Sequence, residues 1–440
     1  MHRKLLADLK AWKTKKGRLP LILKGARQVG KTWLLNEFGK TCFDDVLYIN
    51  FENAANLEDL FHGVIKPQRI IDMLGALHGK RIVPEKTLLI FDEVQEVPRA
   101  LTALKYFAEN APEYPICCAG SLMGVALHKG TSFPVGKVDF LTLQPLTFEE
   151  FLMASGEEML CEFIRESALA PLAQAFADKL YDHLKLYFII GGMPAPVQAW
   201  LDDRDFARVE EKQLAILDTY TQDFSKHAPS ALVPKLRYLW NSIPSQLAKE
   251  NKKFIYGLVK DGARAREYED ALLWLLDSGL IRRVGRVSKG ALPLKAYEDL
   301  KSFKIYHLDI GLLRVMSELS PHTLIENTRI FEEFKGALTE QFVLQELSSF
   351  SNVRSIYYWT SNATAEVDFI FSDGYNVIPV EAKAGENVQA QSLKVYRAKY
   401  DTALAVRTSL ANLRFDNGLL NIPLYVLWNF EKYKIQLDSH

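Results

Sequence analysis

The sequence has few of the features that indicate a disulfide framework or a histidine–cysteine metal site. It contains only four cysteines in 440 residues, and their spacing does not match a zinc site. Cys117 and Cys118 are adjacent and cannot easily bridge to each other, so we expect reduced, mostly buried thiols. The nine histidines form no H-x₃₋₅-H or H-E-x-x-H group, so no histidine metal site is predicted.

An excess of charge and a long apolar segment are also absent. The 54 basic residues balance 54 acidic ones, so any surface that attracts a polyanion must be local. The basic residues 1–16 contain no long apolar run, which excludes a secretory signal. The most apolar stretch, residues 186–201, is shorter than the roughly 20 residues of a membrane span and contains two prolines. We expect a cytoplasmic protein with no membrane contact.

The composition is that of a soluble globular protein with an ample core, at 48% apolar and 25% charged residues. The length suggests two to four domains as a first expectation.

Residues 25–32, GARQVGKT, match the phosphate-binding pattern G-x-x-x-x-G-K-[ST]. An apolar run precedes them and a helical pattern follows, which is the context that this loop requires. Two glycines permit positive φ, so that backbone N–H groups can surround phosphates. We expect Lys31 to reach the β- and γ-phosphates and the Thr32 hydroxyl to ligate Mg²⁺. The predicted nucleotide-binding residues here are Gly25, Ala26, Arg27, Gln28, Val29, Gly30, Lys31, Thr32 and Trp33.

A second motif ends an uninterrupted apolar run, residues 88–91, with two acids. Such a run predicts a buried parallel strand that brings its last residues to the ligand-binding edge of a sheet. We expect Asp92 to hold Mg²⁺ and Glu93 to act as the general base toward the attacking water. The alternative is an ordinary strand end with solvated acids.

Further strands and helices alternate along this part of the chain. Residues 46–51, 115–121 and 138–143 read as strands, and residues 56–78 as a helix. Ser121 is placed either to sense the γ-phosphate or to cap a helix, and both remain open. Thr147 with Glu150 fits a capping box. The alternation predicts a parallel α/β sheet with helices on both faces.

These motifs, in this order and spacing, resemble the AAA+ superfamily ATPases of bacteria and archaea. More narrowly, they are similar to the subfamily in which the ATPase precedes a module of unassigned function. The resemblance implies a sheet order 5-1-4-3-2, a helical lid, the roles given above and the possibility of a ring-shaped homo-oligomer. This chain has Lys137 where the subfamily suggests arginine, and lysine lacks the bidentate fork. Arg99 is then only a candidate for an arginine finger.

Two segments follow the predicted ATPase. Residues 152–235 are helical in pattern, with a helix that ends at Gly191, and match the family's lid. Residues 236–316 read as helix–turn–helix followed by a strand and look like a winged-helix domain. Between residues 252 and 316, thirteen basic residues stand against eight acidic ones. The residues that could meet DNA phosphates are Arg264, Arg266, Arg282, Arg283 and Arg286. The alternative is a winged helix that contacts only protein.

The last segment contains a second constellation of acids and lysine. Strand-like runs carry Asp368 and then Glu381 and Lys383, in the pattern D-x₁₂-E-x-K, and a predicted helix over residues 331–347 carries Glu340. This pattern resembles the restriction-endonuclease-like PD-(D/E)-x-K nucleases. The resemblance implies that Asp368, Glu381 and Glu340 ligate Mg²⁺ and that Lys383 activates water or neutralises the phosphate. Gln391 and Tyr396 could assist. The alternative is a nuclease fold that only binds a partner or nucleic acid.

The sequence thus predicts an α/β protein with four parts: an AAA+ P-loop core, a helical lid, a winged-helix domain and a C-terminal α/β restriction-endonuclease-like domain. Their predicted bounds are 1–151, 152–235, 236–320 and 327–440. We expect an ATPase that uses ATP and Mg²⁺ and couples nucleotide state to a DNA-linked C-terminal half, with double-stranded or branched DNA as the partner. Two alternatives are a nucleotide-gated, Mg²⁺-dependent nuclease, and a signalling or scaffold ATPase whose C-terminal half binds a protein partner.

Overall fold

Most of the chain is described by the computed structural model, which covers residues 1–52, 55–120, 134–249, 252–325, 329–361, 365–385 and 391–438. These residues form two compact units. One comprises His2–Gln144 with Asp277–Gly279, and the other comprises Met1, Pro145–Leu276 and Leu280–His440. Among the described residues, none of the helices combines the length and apolarity that crossing a bilayer requires.

The first unit is built on a parallel sheet of five strands in the order 5-1-4-3-2. This is the order implied by the resemblance, and the finding confirms the predicted parallel α/β sheet. The third strand is buried along its whole length, which explains its unbroken apolar sequence. The strands are β1 (Leu21–Lys24), β2 (Asp45–Asn50), β3 (Thr87–Asp92), β4 (Ile116–Ala119) and β5 (Asp139–Thr142).

Helices and short 3₁₀ segments cover this sheet. One prediction was wrong here: residues 56–78 are not one helix, because the 3₁₀ segment is followed by a turn at Gly63, with φ of 70°, and a new helix begins at Pro67. Proline favours the first turn of a helix and disrupts its interior. The helices are α1 (Leu5–Thr14), α2 (Lys31–Cys42), α3 (Pro67–His78) and α4 (Pro98–Asn110), with 3₁₀ segments at Ala55–Phe61 and Val94–Glu96.

The second unit contains the remaining helices. They are α5 (Phe148–Ala154), α6 (Glu158–Glu166), α7 (Gln174–Ile190), α8 (Pro194–Asp203), α9 (Phe206–His227), α10 (Val233–Leu247), α11 (Ala265–Asp277), α12 (Ile310–Met316), α13 (Pro321–Ile325), α14 (Arg329–Leu347), α15 (Gln391–Lys399) and α16 (Phe430–Asp438). Short 3₁₀ segments lie at Tyr256–Leu258, Leu294–Tyr297 and Leu424–Asn429. The capping box predicted for Thr147 and Glu150 is present at the start of α5, and α7 ends at Gly191 as expected.

A mixed sheet of eight strands joins two regions that the sequence divides into separate domains. Its strands are β6 (Ile281–Val287), β7 (Glu298–His307), β8 (Ile356–Thr360), β9 (Glu366–Ser372), β10 (Val377–Ala382), β11 (Ala405–Ser409), β12 (Arg414–Asp416) and β13 (Leu419–Pro423). The order is β12-β13-β11-β10-β9-β8-β6-β7. The β6–β7 hairpin belongs to the predicted winged helix, yet β6 pairs in parallel with β8. The hairpin and the C-terminal strands therefore share one sheet.

Asp309 is the centre of a buried polar cluster in the second unit. Its side chain is fully buried and caps α12 by accepting hydrogen bonds from the backbone of Gly311 (3.0 Å) and Leu312 (3.1 Å). It also accepts from the Gly192 N–H (2.7 Å) and the Gln345 side chain (3.3 Å). Four donors on three elements therefore converge on one carboxylate, which links the end of α7, the start of α12 and α14.

Candidate functional site

The phosphate loop lies between β1 and α2 and depends on its glycines. Gly30 has φ of 94° and Gly25 has φ of 155°, values that L side chains rarely adopt. A Cβ atom at Gly25 would lie 2.5 Å from the carbonyl oxygen of Leu143. Gln28 also has a positive φ, of 64°. The backbone of the loop is therefore held in the curved conformation predicted from the motif.

Lys31 is buried at the start of α2 and its ammonium group points into the loop. It donates hydrogen bonds to the carbonyl oxygens of Gly25 (3.0 Å) and Ala26 (2.9 Å). Burial lowers the pKa of Lys31 to about 8, although the carboxylates of Glu93 and Asp92 oppose this shift. The cation is thus held where a polyanion would bind, and the negative charge of a bound phosphate would raise the pKa of Lys31 again.

The two ATPase motifs meet at the carboxylate of Asp92. Its Oδ2 accepts a hydrogen bond from the Thr32 hydroxyl at 2.7 Å, across 60 residues of sequence. The Tyr48 hydroxyl, near the end of β2, donates to the same oxygen at 2.7 Å. Tyr48 was not predicted as a site residue. Its only signal is its position near the end of a strand that neighbours β3.

Glu93 follows directly and has an unusual backbone. Its φ is 49°, in the left-handed region, and its N–H donates to Asp92 Oδ1 at 3.1 Å. The side-chain amide of the buried Gln95 donates to the Glu93 carboxylate. A non-glycine residue held in this conformation beside a phosphate loop is typical of a functional position. Gln95 orients the predicted base, and sequence reasoning missed it.

The side chains of the other residues predicted to bind nucleotide differ in their solvent exposure. The side chains of Ala26 and Val29 are buried, so they can contribute to a ligand site only through backbone groups. Trp33 is 44% exposed, on the first turn of α2, and Arg27 is half-buried. Ser121, predicted to sense phosphate or cap a helix, lies outside the described residues.

Arg3, just before α1, contacts the phosphate loop. In the sequence it stands out only as one of the basic residues near the N-terminus. Its guanidinium group is buried and donates to the carbonyl oxygens of Val29 (3.0 Å) and Gln144. It therefore fixes the loop backbone against the segment that follows β5.

Arg99, the candidate for an arginine finger, and Lys137, which replaces the expected arginine, both bind groups of the protein. Arg99 donates to the backbone carbonyls of Phe61 and Gly63, both at 2.7 Å. Lys137 forms an ion pair of 3.0 Å with Glu109. Arg99 is thereby committed to holding the turn that precedes α3.

The C-terminal acids and lysine are brought together on β9 and β10. The antiparallel register pairs Phe369 with Val380, so Asp368 and Glu381 lie opposite each other, as predicted. Asp368 Oδ2 accepts from the Ala382 N–H at 2.9 Å. Lys383 forms a 2.7 Å ion pair with Glu381. The other oxygen of Glu381 is buried and has no hydrogen-bond partner among the described residues.

Glu340 lies close by but is bound to cations rather than grouped with the other acids. It accepts from Lys252 (2.6 Å) and from the Tyr306 hydroxyl (2.8 Å), and the buried Lys304 lies 3.7 Å away. Within the described ranges, no three His, Cys, Asp or Glu side chains form a group that could hold a metal ion. The predicted set of three carboxylate ligands is therefore not assembled, because two lysines neutralise its third member.

Burial and charge shift the ionisation of this cluster. Burial, with a further contribution from the negative charge of Glu340, raises the pKa of Asp368 to about 7. Burial opposes the charged form of Lys304, yet Glu340, Glu366 and Asp368 together raise its pKa. Lys304 contacts Glu366 at 2.5 Å, although β6 and β8 separate their strands in the sheet. The lysines were missed because they are distant in sequence from the D-x₁₂-E-x-K pattern.

Tyr396 and Gln391 were suggested as residues that assist Asp368, Glu381 and Lys383. Tyr396 is fully buried and its hydroxyl donates to the carbonyl of Gly290 at 3.0 Å, so it serves packing. Gln391 is exposed at the start of α15.

The five arginines predicted to meet DNA phosphates form two pairs and one single residue. Arg264 and Arg266 are exposed near the start of α11. Arg283 and Arg286 form ion pairs with Glu298 (2.7 Å) and Asp299 (2.5 Å) within the β6–β7 hairpin. Burial lowers the pKa of the remaining one, Arg282, to about 10. Only the first pair forms a freely exposed basic surface of the kind expected.

The cysteines agree with the expectation of free thiols. All four are unbridged, and Cys117, Cys118 and Cys161 are buried. Burial raises the pKa of the Cys117 thiol well above its ordinary value, so it stays protonated and unreactive.

Three family models match separate parts of the chain. Residues 17–152 match a family described as an AAA domain. Residues 181–323 and 335–427 match two families described as domains of unknown function, DUF8612 and DUF4143. A comparison with curated proteins finds no match.

Solved structures that match this chain include a Walker-type ATPase of Pyrococcus abyssi, at 14% identity and a TM-score of 0.45, covering 71% of this chain and 95% of that one. The ORC1 protein of Aeropyrum pernix, solved in complex with DNA, shares 13% identity with a TM-score of 0.28, covering 72% and 91%. At these scores the structural likeness adds no argument about function.

The motifs, the sheet order and the family match of the first unit agree with one another. A phosphate loop and an Asp92 carboxylate meet at one edge of a 5-1-4-3-2 parallel sheet, and the match to the AAA domain spans both motifs. The first unit therefore contains a P-loop core that matches the AAA domain family over residues 17–152.

Proposed function

We propose that this protein hydrolyses ATP at the phosphate loop, with Glu93 as the general base. The observation that carries the proposal is the 2.7 Å contact between the Thr32 hydroxyl and Asp92. It brings the ends of both motifs to one point, and Lys31 and Glu93 directly adjoin the two contacting residues in sequence.

The residues present fit a hydrated Mg²⁺ ion accompanying ATP. Thr32 and Asp92 would hold it, since a hydroxyl and a carboxylate oxygen are ligands that Mg²⁺ prefers. When bound, the ion would neutralise charge on the β- and γ-phosphates. Lys31 would exchange its two loop carbonyls for phosphate oxygens, and the loop N–H groups would donate to the same phosphates. Glu93, oriented by Gln95, would accept a proton from the attacking water.

The experiment that tests the proposal is steady-state phosphate release with ATP and Mg²⁺. Lys31→Ala is expected to abolish turnover and weaken ATP binding, because the ammonium group that meets the phosphates is gone. Lys40→Ala, an exposed lysine on the same helix, is the matched control and should retain wild-type turnover. Equal turnover in both variants and the wild type would end the proposal.

We further propose that nucleotide state is coupled to a C-terminal half that acts on DNA. Exposed Arg264 and Arg266 support a DNA-facing surface on α11. A salt-sensitive affinity for double-stranded or branched DNA is the expected result. Retained ATPase activity with no such affinity would instead favour the alternative of a scaffold ATPase with a protein partner.

A second candidate function, a nucleotide-gated nuclease, is favoured by the cluster of Asp368, Glu381 and Lys383. The orphaned buried oxygen of Glu381 is an acceptor that a divalent cation would satisfy, so two carboxylates fit such an ion and Glu340 does not. When bound, the ion would stabilise negative charge developing on a phosphodiester. Lys383 would contact the scissile phosphate.

Plasmid cleavage with Mg²⁺ or Mn²⁺, with and without ATP, tests the nuclease. The double variant Asp368→Ala with Lys383→Ala should abolish cutting, because it removes one ligand and the cation next to the phosphate. The control pair is Asp401→Ala with Lys394→Ala, an exposed acid and an exposed lysine that should leave cutting unchanged. If the wild type cuts no better than the first double variant, the nuclease assignment fails.

A further inference from the structure

A polar cleft of about 340 Å³ lies on the second unit, beside residues 282–285 of β6. Gly285 is the first residue of β6 that pairs with β8. The walls of the cleft come from β6, residues 353–357, the last residues of α14 and the segment around Lys295 and Glu298. This volume falls in the range of small-molecule sites. None of the functions proposed above uses this cleft.

The lining of the cleft is strongly basic. Its cations are Arg282, Arg283, Lys295 and Arg354, and Glu298 is the one acid among the described residues that line it. Glu298 is already bound on two sides, by Arg283 (2.7 Å) and Lys295 (2.5 Å). The lining therefore carries a formal excess of three positive charges in a chain whose net charge is zero. Such a local excess attracts anions.

One wall of the cleft is held in place by a close backbone approach. A Cβ atom at Gly285 would lie 2.5 Å from Glu298 Oε1, so only glycine lets this carboxylate rest against β6. The carboxylate in turn holds Arg283 and Lys295 in fixed positions. The two cations are thus ordered before any ligand arrives, which reduces the entropy lost on binding.

Two further cations complete the site. Arg354 is exposed, and the described part of the chain offers its side chain no hydrogen-bond or ion-pair partner. Burial lowers the pKa of Arg282 to about 10, although the neighbouring Tyr187 and Asp309 oppose this shift. An anion in the cleft would give Arg354 a charged partner.

We propose that this cleft binds a multiply charged phosphate group. A phosphate or pyrophosphate matches an excess of three positive charges better than a single carboxylate does, and guanidinium groups bind its oxygens in bidentate fashion. The group is carried either by a free small molecule or by the terminal phosphate of a nucleic acid strand. The inference is independent of the proposed ATPase and nuclease functions.

Calorimetric titration of inorganic pyrophosphate into the full-length Lys31→Ala variant tests the proposal, because this background removes the main cation of the phosphate loop. Saturable binding is expected. Adding Arg354→Gln should weaken it about tenfold, the typical loss for one charge-assisted hydrogen bond. The thermal midpoint of the Arg354→Gln variant should equal that of its parent.

The control removes the same charge elsewhere. Lys394→Gln, at an exposed lysine on α15, should leave pyrophosphate affinity unchanged. Absence of saturable binding, or an equal loss from Arg354→Gln and Lys394→Gln, would overturn the proposal. The second arm compares a 12-nucleotide strand with and without a 5′-phosphate. Dependence on both Arg354 and the 5′-phosphate identifies a strand end as the source, whereas binding of pyrophosphate alone identifies a free small molecule.

Discussion

Glu93→Gln is expected to bind ATP with nearly wild-type affinity while its turnover falls at least about hundredfold, the usual contribution of a general base. The carboxamide has the size of the carboxylate and can still accept a hydrogen bond from Gln95 through its oxygen. It cannot accept the proton of the attacking water. The substitution thus removes a step of the chemistry and leaves Lys31, Thr32 and Asp92 in place.

Two measurements separate binding from turnover in this variant. Calorimetric titration with ATP and Mg²⁺ gives the affinity, and continuous phosphate release gives the turnover number. Glu96→Gln is the matched control, because Glu96 is an exposed acid in the short 3₁₀ segment that directly follows Glu93. Turnover of Glu93→Gln within twofold of wild type would show that another group accepts the proton.

Asp309→Ala is expected to destabilise the second unit by about 3 to 5 kcal/mol, the range for breaking a buried, charged hydrogen-bond network. Four donors would lose their common acceptor at once: the N–H groups of Gly192, Gly311 and Leu312, and the Gln345 amide. Water cannot replace it easily, because Asp309 is fully buried. Asp309→Asn keeps the shape of the side chain and one acceptor oxygen, so it should destabilise the second unit less than Asp309→Ala does.

Urea unfolding followed by circular dichroism measures the effect. The comparison is Asp205→Ala, since Asp205 also caps a helix, accepting from Ala207 N–H at 2.8 Å, but is exposed. Loss of that cap should cost about 1 kcal/mol. A loss at Asp309 no larger than the loss at Asp205 would contradict the reading of Asp309 as a central contact.

Local patterns predicted well wherever the controlling interactions are themselves local. The phosphate loop needs two glycines, a lysine and a hydroxyl at fixed spacing, and β3 needs an apolar run before its acids. The capping box at Thr147 and Glu150 and the end of α7 at Gly191 likewise depend on residues within one turn. The prediction of one helix across residues 56–78 was wrong, because apolar periodicity was given more weight than Pro67, where a new helix begins.

The C-terminal constellation was predicted less completely. Asp368, Glu381 and Lys383 meet as expected, because a hairpin register sets which residues face each other. Glu340 was assigned to the same metal shell, but Lys252 and Lys304 hold it. Those lysines come from another loop and from β7, and only the folding of the sheet brings them within 4 Å of Glu340.

The sequence by itself determined the nucleotide loop, the acids at the end of β3 and the alternation that makes a parallel sheet, because each rests on short-range geometry and burial of one face. Only the tertiary structure decided that the β6–β7 hairpin joins the C-terminal strands, that Tyr48 and Gln95 bind the ATPase carboxylates, and that three cations flank Arg354 in one cleft. These outcomes depend on contacts between residues far apart in the chain, whose partners are chosen by packing and charge rather than by spacing.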